Sequence, residues 1–170
     1  LAAIAAKAKG ATVYISDVSA GKLEMAKDFG VDGTLLTDSP ENFEKGVAEI
    51  TNGNGFDVTI EAVGLPSTFQ NCIDACCFGG RMVLIGVGKK NLDFTFTLIQ
   101  KKELNVFGSR NALKKDFLEL IDIVNAGKAP LHKIITNTYA FDDAAKAFDD
   151  FAHNPGNMLK VVFDFSKISK

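Results

Sequence analysis

The sequence predicts an α/β fold, a doubly wound sheet of parallel strands. Three observations carry this. Short apolar runs alternate with helical stretches along the chain, the spacing of successive βαβ units. The runs read as buried strands, as in a parallel sheet. One of them, Ala11-Thr12-Val13-Tyr14-Ile15, closes on Ser16-Asp17, with a small-residue helix before it and a polar helix after it.

Leu1 to Lys9 is alanine-rich, which suits a helix pressed closely on a sheet, and Gly10 stops it as a C′ residue. No capping side chain precedes Leu1-Ala2-Ala3, so the residues that start this helix are expected upstream. Val13 to Ser16 reads as a strand. Ser19 caps a helix through Leu23, Met25, Ala26 and Phe29 that ends at Gly30. Gly33 to Leu36 is a short strand. Ser39-Pro40-Glu41 starts a helix, with proline in the first turn and acid near its positive end. That helix carries Phe43, Val47 and Ile50 at helical spacing and stops in Asn52-Gly53-Asn54-Gly55. Phe56 to Ala62 is the next strand, and Gly64-Leu65-Pro66-Ser67 leads into a helix expected to hold Cys72, Cys76 and Cys77. Gly79-Gly80 breaks it, Arg81 to Ile85 is a strand, and Gly86-Val87-Gly88 is a loop. Leu104 to Phe107 is one more strand and Lys114 to Asn125 one more amphipathic helix. From Gly127 the pattern changes. Ile134 to Tyr139 is strand-like, Asp142 caps a helix through Ala145, Phe148 and Phe151, and Met158 to Phe165 is a last strand. These read less as another crossover than as pieces of a neighbouring domain.

Composition excludes several functions. With 46% hydrophobic and 24% charged residues the chain can bury a large core, while a net charge of −2 sets up no field for nucleic acid or an anionic membrane. No run approaches the roughly 20 apolar residues of a membrane span, and no signal-like segment opens the chain. A cytoplasmic location is the default expectation. The three cysteines are odd in number and too local for a disulfide framework, and His132 and His153 lie far from them. No zinc site is assigned to them.

Asp17 carries the chemistry. An ionised carboxylate just past a buried strand can accept hydrogen bonds from the vicinal hydroxyls of a nucleotide ribose, and its charge repels a phosphate on the 2′ oxygen. It therefore favours NAD over NADP. The glycine-rich phosphate fingerprint belongs about 20 residues before such an acid, and counting back from Asp17 passes Leu1. The chain is accordingly expected to be a piece of a longer protein.

In order and spacing, the residues resemble the cofactor half of the medium-chain, zinc-type alcohol and polyol dehydrogenase family. The matching run comprises Gly10-Ala11, Asp17 with Lys22, Phe56 to Gly64, Gly79-Gly80-Arg81, Ile85-Gly86-Val87, Lys102-Glu103-Leu104 to Phe107-Gly108-Ser109-Arg110, and Lys160. The resemblance implies a Rossmann-type doubly wound sheet, missing its first strand, and NAD as cofactor. It implies that Asp17 holds the adenosine ribose with Lys22 over the same end, and that Ala62, Val63 and Gly64 line the cleft where strand order reverses. Ile85, Gly86 and Val87 would offer backbone groups to the nicotinamide amide, as would Phe107, Gly108 and Ser109 from the next strand. The absent side chains of Gly86 and Gly108 permit that approach. Lys160 would face the pyrophosphate as a point charge.

The same resemblance implies an alcohol or polyol as small-molecule substrate, and zinc held only in the full-length parent by an amino-terminal catalytic domain. No catalytic residue or metal ligand is assigned here, and this polypeptide alone is expected not to turn over substrate. It divides the chain at the sixth strand, residues 1–108 forming the nucleotide domain and 109–170 the segment returning to the catalytic domain. A homodimer or homotetramer paired through the edge strand Glu103 to Phe107 is also implied. In the strand order 3-2-1-4-5-6 the first strand is central, so its absence separates the strands on either side. Unpaired buried backbone would cost about 1–3 kcal/mol per group.

Three other readings compete. A zinc-free quinone or enoyl reductase of the same superfamily would want a basic or small polar residue at Asp17. An S-adenosylmethionine methyltransferase also holds a ribose by an acid after its second strand, but ends in an antiparallel hairpin. A nucleotide-sensing or interaction module without chemistry is the third class.

Overall fold

A computed structural model describes residues 1–156 and 158–167. The chain forms seven helices, α1 (Ala2–Ala8), α2 (Ala20–Lys27), α3 (Pro40–Thr51), α4 (Pro66–Ala75), α5 (Thr97–Lys101), α6 (Lys114–Asn125) and α7 (Ala144–His153), among the described residues. Seven strands accompany them: β1 (Tyr14–Asp17), β2 (Gly33–Leu36), β3 (Phe56–Glu61), β4 (Cys76–Leu84), β5 (Asn105–Gly108), β6 (Ile135–Ala140) and β7 (Lys160–Asp164). They make three sheets, β1-β2, β3-β4-β5 and β6-β7. The chain divides into two compact units, one of Leu1, Ala3–Thr34 and Lys115–Lys170, the other of Ala2 and Leu35–Lys114.

The second unit is built on β3-β4-β5, parallel throughout. Its core is Ile73, Cys76, Met82 and Leu104, with Phe69, Leu84, Phe94 and Leu98 packed against it. Ile73 and Met82 are fully buried, and burial of side chains this size stabilises by about 1.5–3 kcal/mol each. The Phe69 and Phe94 rings meet edge to face at 5.0 Å, the arrangement their quadrupoles favour. α3 starts where Ser39 Oγ accepts from the Asn42 N–H and Pro40 occupies the first turn. It ends on Asn52 in the left-handed region, φ 52°, which asparagine tolerates.

The junction of α4 and β4 corrects the sequence reading. The helix ends at Ala75 and the strand begins at Cys76 with no loop, so only Cys72 is helical and Cys76 and Cys77 belong to β4. Gly79-Gly80 does not separate two elements but sits inside the strand. Phe56 pairs with Cys76 and Val58 with Arg81, so two steps along β3 face five along β4, and Gly79 at φ 71° takes up the excess. Lys102 replaces the missing cap, its Nζ donating to the carbonyls of Ile73 (2.9 Å), Asp74 (2.8 Å) and Cys76 (2.9 Å). These are the orphan acceptors of a helix end, where the macrodipole also favours a cation.

In the first unit, Ile4, Val13, Leu23 and Ala26 are buried. Asp32 ties α1 to the start of β1, one carboxylate oxygen accepting from the Val13 N–H at 2.6 Å and from Lys7 Nζ at 2.8 Å. These two donors hold its carboxyl below the ordinary range. β6 and β7 are parallel, with α7 between them. This corrects the expectation that the segment is not a crossover: the stretch from Ala140 to Lys160 accommodates a helix that returns the chain to the start of the next strand. Asp142 is not the cap of α7 either. It lies in a single 3-10 turn, Phe141–Asp143, and the helix begins after Asp143 without a side-chain cap bond. α5 went unanticipated because its five residues lack a repeating pattern.

Candidate functional site

β1 ends on Asp17 itself, one residue later than its sequence suggests. Asp17 Oδ1 accepts from the Ser19 N–H at 2.8 Å, a turn in which an aspartate pins the backbone two residues on. Ser19 in turn caps α2, its Oγ accepting from the Lys22 N–H at 3.3 Å. The carboxylate is thus oriented from one side, and among the described residues Oδ2 has no protein partner and Asp17 joins no ion pair. Lys22 is exposed on the first turn of α2, and Lys160 is exposed at the first position of β7, facing Ile135.

In the second unit, register brings the other nominated residues together. Glu61 lies opposite Leu84 and Leu84 opposite Gly108, so the three strands end level. The segments Ala62–Gly64, Ile85–Val87 and Gly108-Ser109 leave the same carboxyl edge, where open α/β sheets bind ligands. The Ser109 N–H donates to the Leu84 carbonyl at 2.8 Å, extending that edge by one residue. Val63, Ile85, Val87 and Phe107 are exposed along it, by 43 to 63%. An apolar rim over backbone N–H and C=O groups suits a flat ring bearing a polar substituent.

Glu61 is the residue that sequence reasoning passed over. It is 3% exposed, and its Oε1 accepts from the N–H groups of Val63 (2.9 Å) and Gly64 (2.8 Å) and from the Thr68 hydroxyl (2.6 Å). Its carbonyl accepts from the N–H groups of Ile85 (2.8 Å) and Gly86 (3.0 Å). Burial pushes the carboxyl up, but the Thr68, Gly64 and Val63 donors outweigh it and hold the group below its ordinary value. The only available sequence signal was an acid closing a strand whose same face also carries Asp57 and Thr59.

The glycines here are required by approach. A Cβ on Gly86 would stand 2.3 Å from Glu61 Oε2 and 2.4 Å from Gly64 N, and one on Gly64, at φ 86°, would stand 2.7 Å from Val87 C and O. Gly108 has open space instead.

Among the described residues, no group of three or more His, Cys, Asp and Glu could hold a metal. Burial pushes the Cys72 thiol up to about 12, and Cys76 is also raised, chiefly by burial. With no third ligand beside these thiols among the described residues, they do not make a zinc donor set.

Comparison with known proteins accords with this geometry. The family described as zinc-binding dehydrogenase matches residues 1–126. Sorbitol dehydrogenase 1 of Saccharomyces cerevisiae is 32% identical over 163 residues, covering 92% of this chain and 46% of its own. D-xylulose reductase of the same yeast is 29% identical over 157 residues, covering 91% and 44%. An alcohol dehydrogenase from Escherichia coli CFT073, solved with NADH, superposes with a TM-score of 0.84 at 25% identity, covering 96% of this chain and 48% of that one. The chain spans about half the length of the curated relatives it matches. Its fold is the Rossmann-like nucleotide fold of alcohol dehydrogenases, and the chain belongs to the zinc-binding dehydrogenase family.

Proposed function

We propose that this chain is the NAD(H)-binding portion of a zinc-type alcohol or polyol dehydrogenase. The observation that carries the reading is Asp17, a strand-end carboxylate with one oxygen used to orient it and the other, among the described residues, without a protein partner. Asp17 accepts from both ribose hydroxyls of the adenosine end and turns away a 2′-phosphate, with Lys22 beside it and Lys160 supplying charge for the pyrophosphate. In the second unit, Ala62–Gly64, Ile85–Val87 and Phe107–Ser109 present backbone donors and acceptors to the carboxamide of the nicotinamide. Gly86 and Gly64 keep that edge free of side chains. When bound, NAD accepts a hydride from the alcohol carbon or returns it. The neighbouring E. coli structure, solved with NADH, supports this cofactor.

Among the described residues no group of side chains could hold zinc; in this reading the metal belongs to the full-length parent. Residues 1–108 form the nucleotide domain and 109–170 the segment that returns to the catalytic domain. The edge position of β5, exposed along its length, supports pairing of subunits into a homodimer or homotetramer. The enzyme acts on a small alcohol or polyol in the cytoplasm.

Titration of the protein carrying this chain with NADH, NADPH and S-adenosylmethionine tests the reading. NADH binds at least about tenfold tighter than either competitor, a difference of about 1.4 kcal/mol. Asp17→Ser narrows the gap between NADH and NADPH. Tighter binding of S-adenosylmethionine, or a preference unmoved by Asp17→Ser, refutes it.

A further inference from the structure

We propose that Glu61 is a positioning residue for the nicotinamide end of the cofactor, holding the loops after β3 and β4 in one fixed relation through its side chain and its own carbonyl. This rests on the NAD(H)-binding reading above. Several groups converge on this one residue. Glu61 Oε1 takes the consecutive N–H groups of Val63 and Gly64 and the Thr68 hydroxyl. The Glu61 carbonyl takes the consecutive N–H groups of Ile85 and Gly86. Four backbone donors from two loops are therefore fixed relative to a single residue, and every residue named for the nicotinamide on those loops is within one position of a donor so fixed.

The Thr68 hydroxyl also accepts from the Leu65 N–H at 3.2 Å, so the same network reaches the first turn of α4. Gly86 packs on the other carboxylate oxygen, leaving no room for a Cβ. Carboxylate, glycine and threonine thus form one interlocked unit. Nothing in it reaches solvent-side chemistry directly: Glu61 is buried and shapes the edge that others present. Removing the carboxylate frees two N–H groups and a hydroxyl at the loop that should meet the carboxamide, while the Asp17 turn, built from Ser19 and Lys22, is untouched.

The distinguishing experiment uses two probes on the protein carrying this chain: NADH, and ADP-ribose, which lacks the nicotinamide. Glu61→Ala weakens NADH binding at least about tenfold, the loss expected when charge-assisted hydrogen bonds are removed, and leaves ADP-ribose binding within about twofold. Glu61→Gln, whose amide oxygen can accept from the same donors, restores NADH to within about threefold of the wild type. A purely structural role would move both probes together. Unchanged NADH affinity in Glu61→Ala, parallel loss of both probes, or failure of Glu61→Gln to restore binding overturns the proposal. Should Glu61→Ala not fold, Thr68→Val decides. It leaves the two N–H bonds in place and is expected to weaken NADH alone, by about threefold, and equal affinity for NADH would overturn the role. Absence of NADH binding by the wild type would instead defeat the NAD(H)-binding reading, and the proposal with it.

Discussion

Replacing Lys102 by Met removes an ammonium and keeps its aliphatic stem. The three carbonyls it satisfies, those of Ile73, Asp74 and Cys76, lie within 2.8 to 2.9 Å of Nζ, and no glycine follows α4 to turn the chain and provide backbone donors. Hydrogen bonds to a charged group contribute about 1.5–3 kcal/mol each, but three of them share one ammonium, and water can reach the outer part of this half-buried side chain. The net loss expected is therefore about 2–4 kcal/mol rather than the sum of three bonds. Hydrogen exchange followed by mass spectrometry reads this locally. Amides at the start of β4, from Cys77 to Gly80, should exchange about 30- to 1,000-fold faster in Lys102→Met, the factor that 2–4 kcal/mol implies, with β6 and β7 unchanged. Lys102→Arg should fall between, because a planar fork does not direct three donors as an ammonium does. A change below about threefold at β4 would mean that water already satisfies these carbonyls, and would refute the capping role.

Two further outcomes follow from the titrating groups. Because the Glu61 carboxyl is held below its ordinary 4.5, its stabilising effect is complete above that pH and drains away as pH falls through the depressed folded value. Urea midpoints of wild type and Glu61→Gln should differ by a constant amount above about pH 5 and converge below pH 4.5, and a gap that widens on acidification contradicts the network described. With its thiol pushed up to about 12 from 9.0, Cys72 should react with iodoacetamide at pH 8 roughly a thousandfold more slowly than an ordinary thiol, since only the thiolate attacks. Peptide mapping of labelled protein measures this, and Cys72 labelling at the ordinary rate would show that it is not shielded.

Most helices and strands were legible because each carried two agreeing signals. Ser39-Pro40 with Phe43, Val47 and Ile50 marked α3, and Gly33–Leu36 was flanked by turn residues on both sides. The α4–β4 junction was not legible: Ala75, Cys76 and Cys77 suit helix or strand equally, and what ends the helix is the ammonium of Lys102, far along the chain. The parallel pairing of β6 and β7 was obscured because short strands and an alanine-rich helix say little about direction. At the site, Asp17 stood out by its position after an apolar run, and the glycines by their type. Glu61 did not, because a buried carboxylate is readable only once the donors that surround it are known, and those come from residues two to seven positions further on.

The uneven pairing between β3 and β4 has a practical meaning for how such chains vary. Since the surplus residues of β4 are absorbed beside Phe78 and Gly79, before Arg81 restores step-by-step pairing with Val58, a residue gained or lost there should change only the local outward fold of the backbone. The far ends of the strands would keep their alignment, so the ligand-facing rim is insulated from length changes at the opposite end of the sheet.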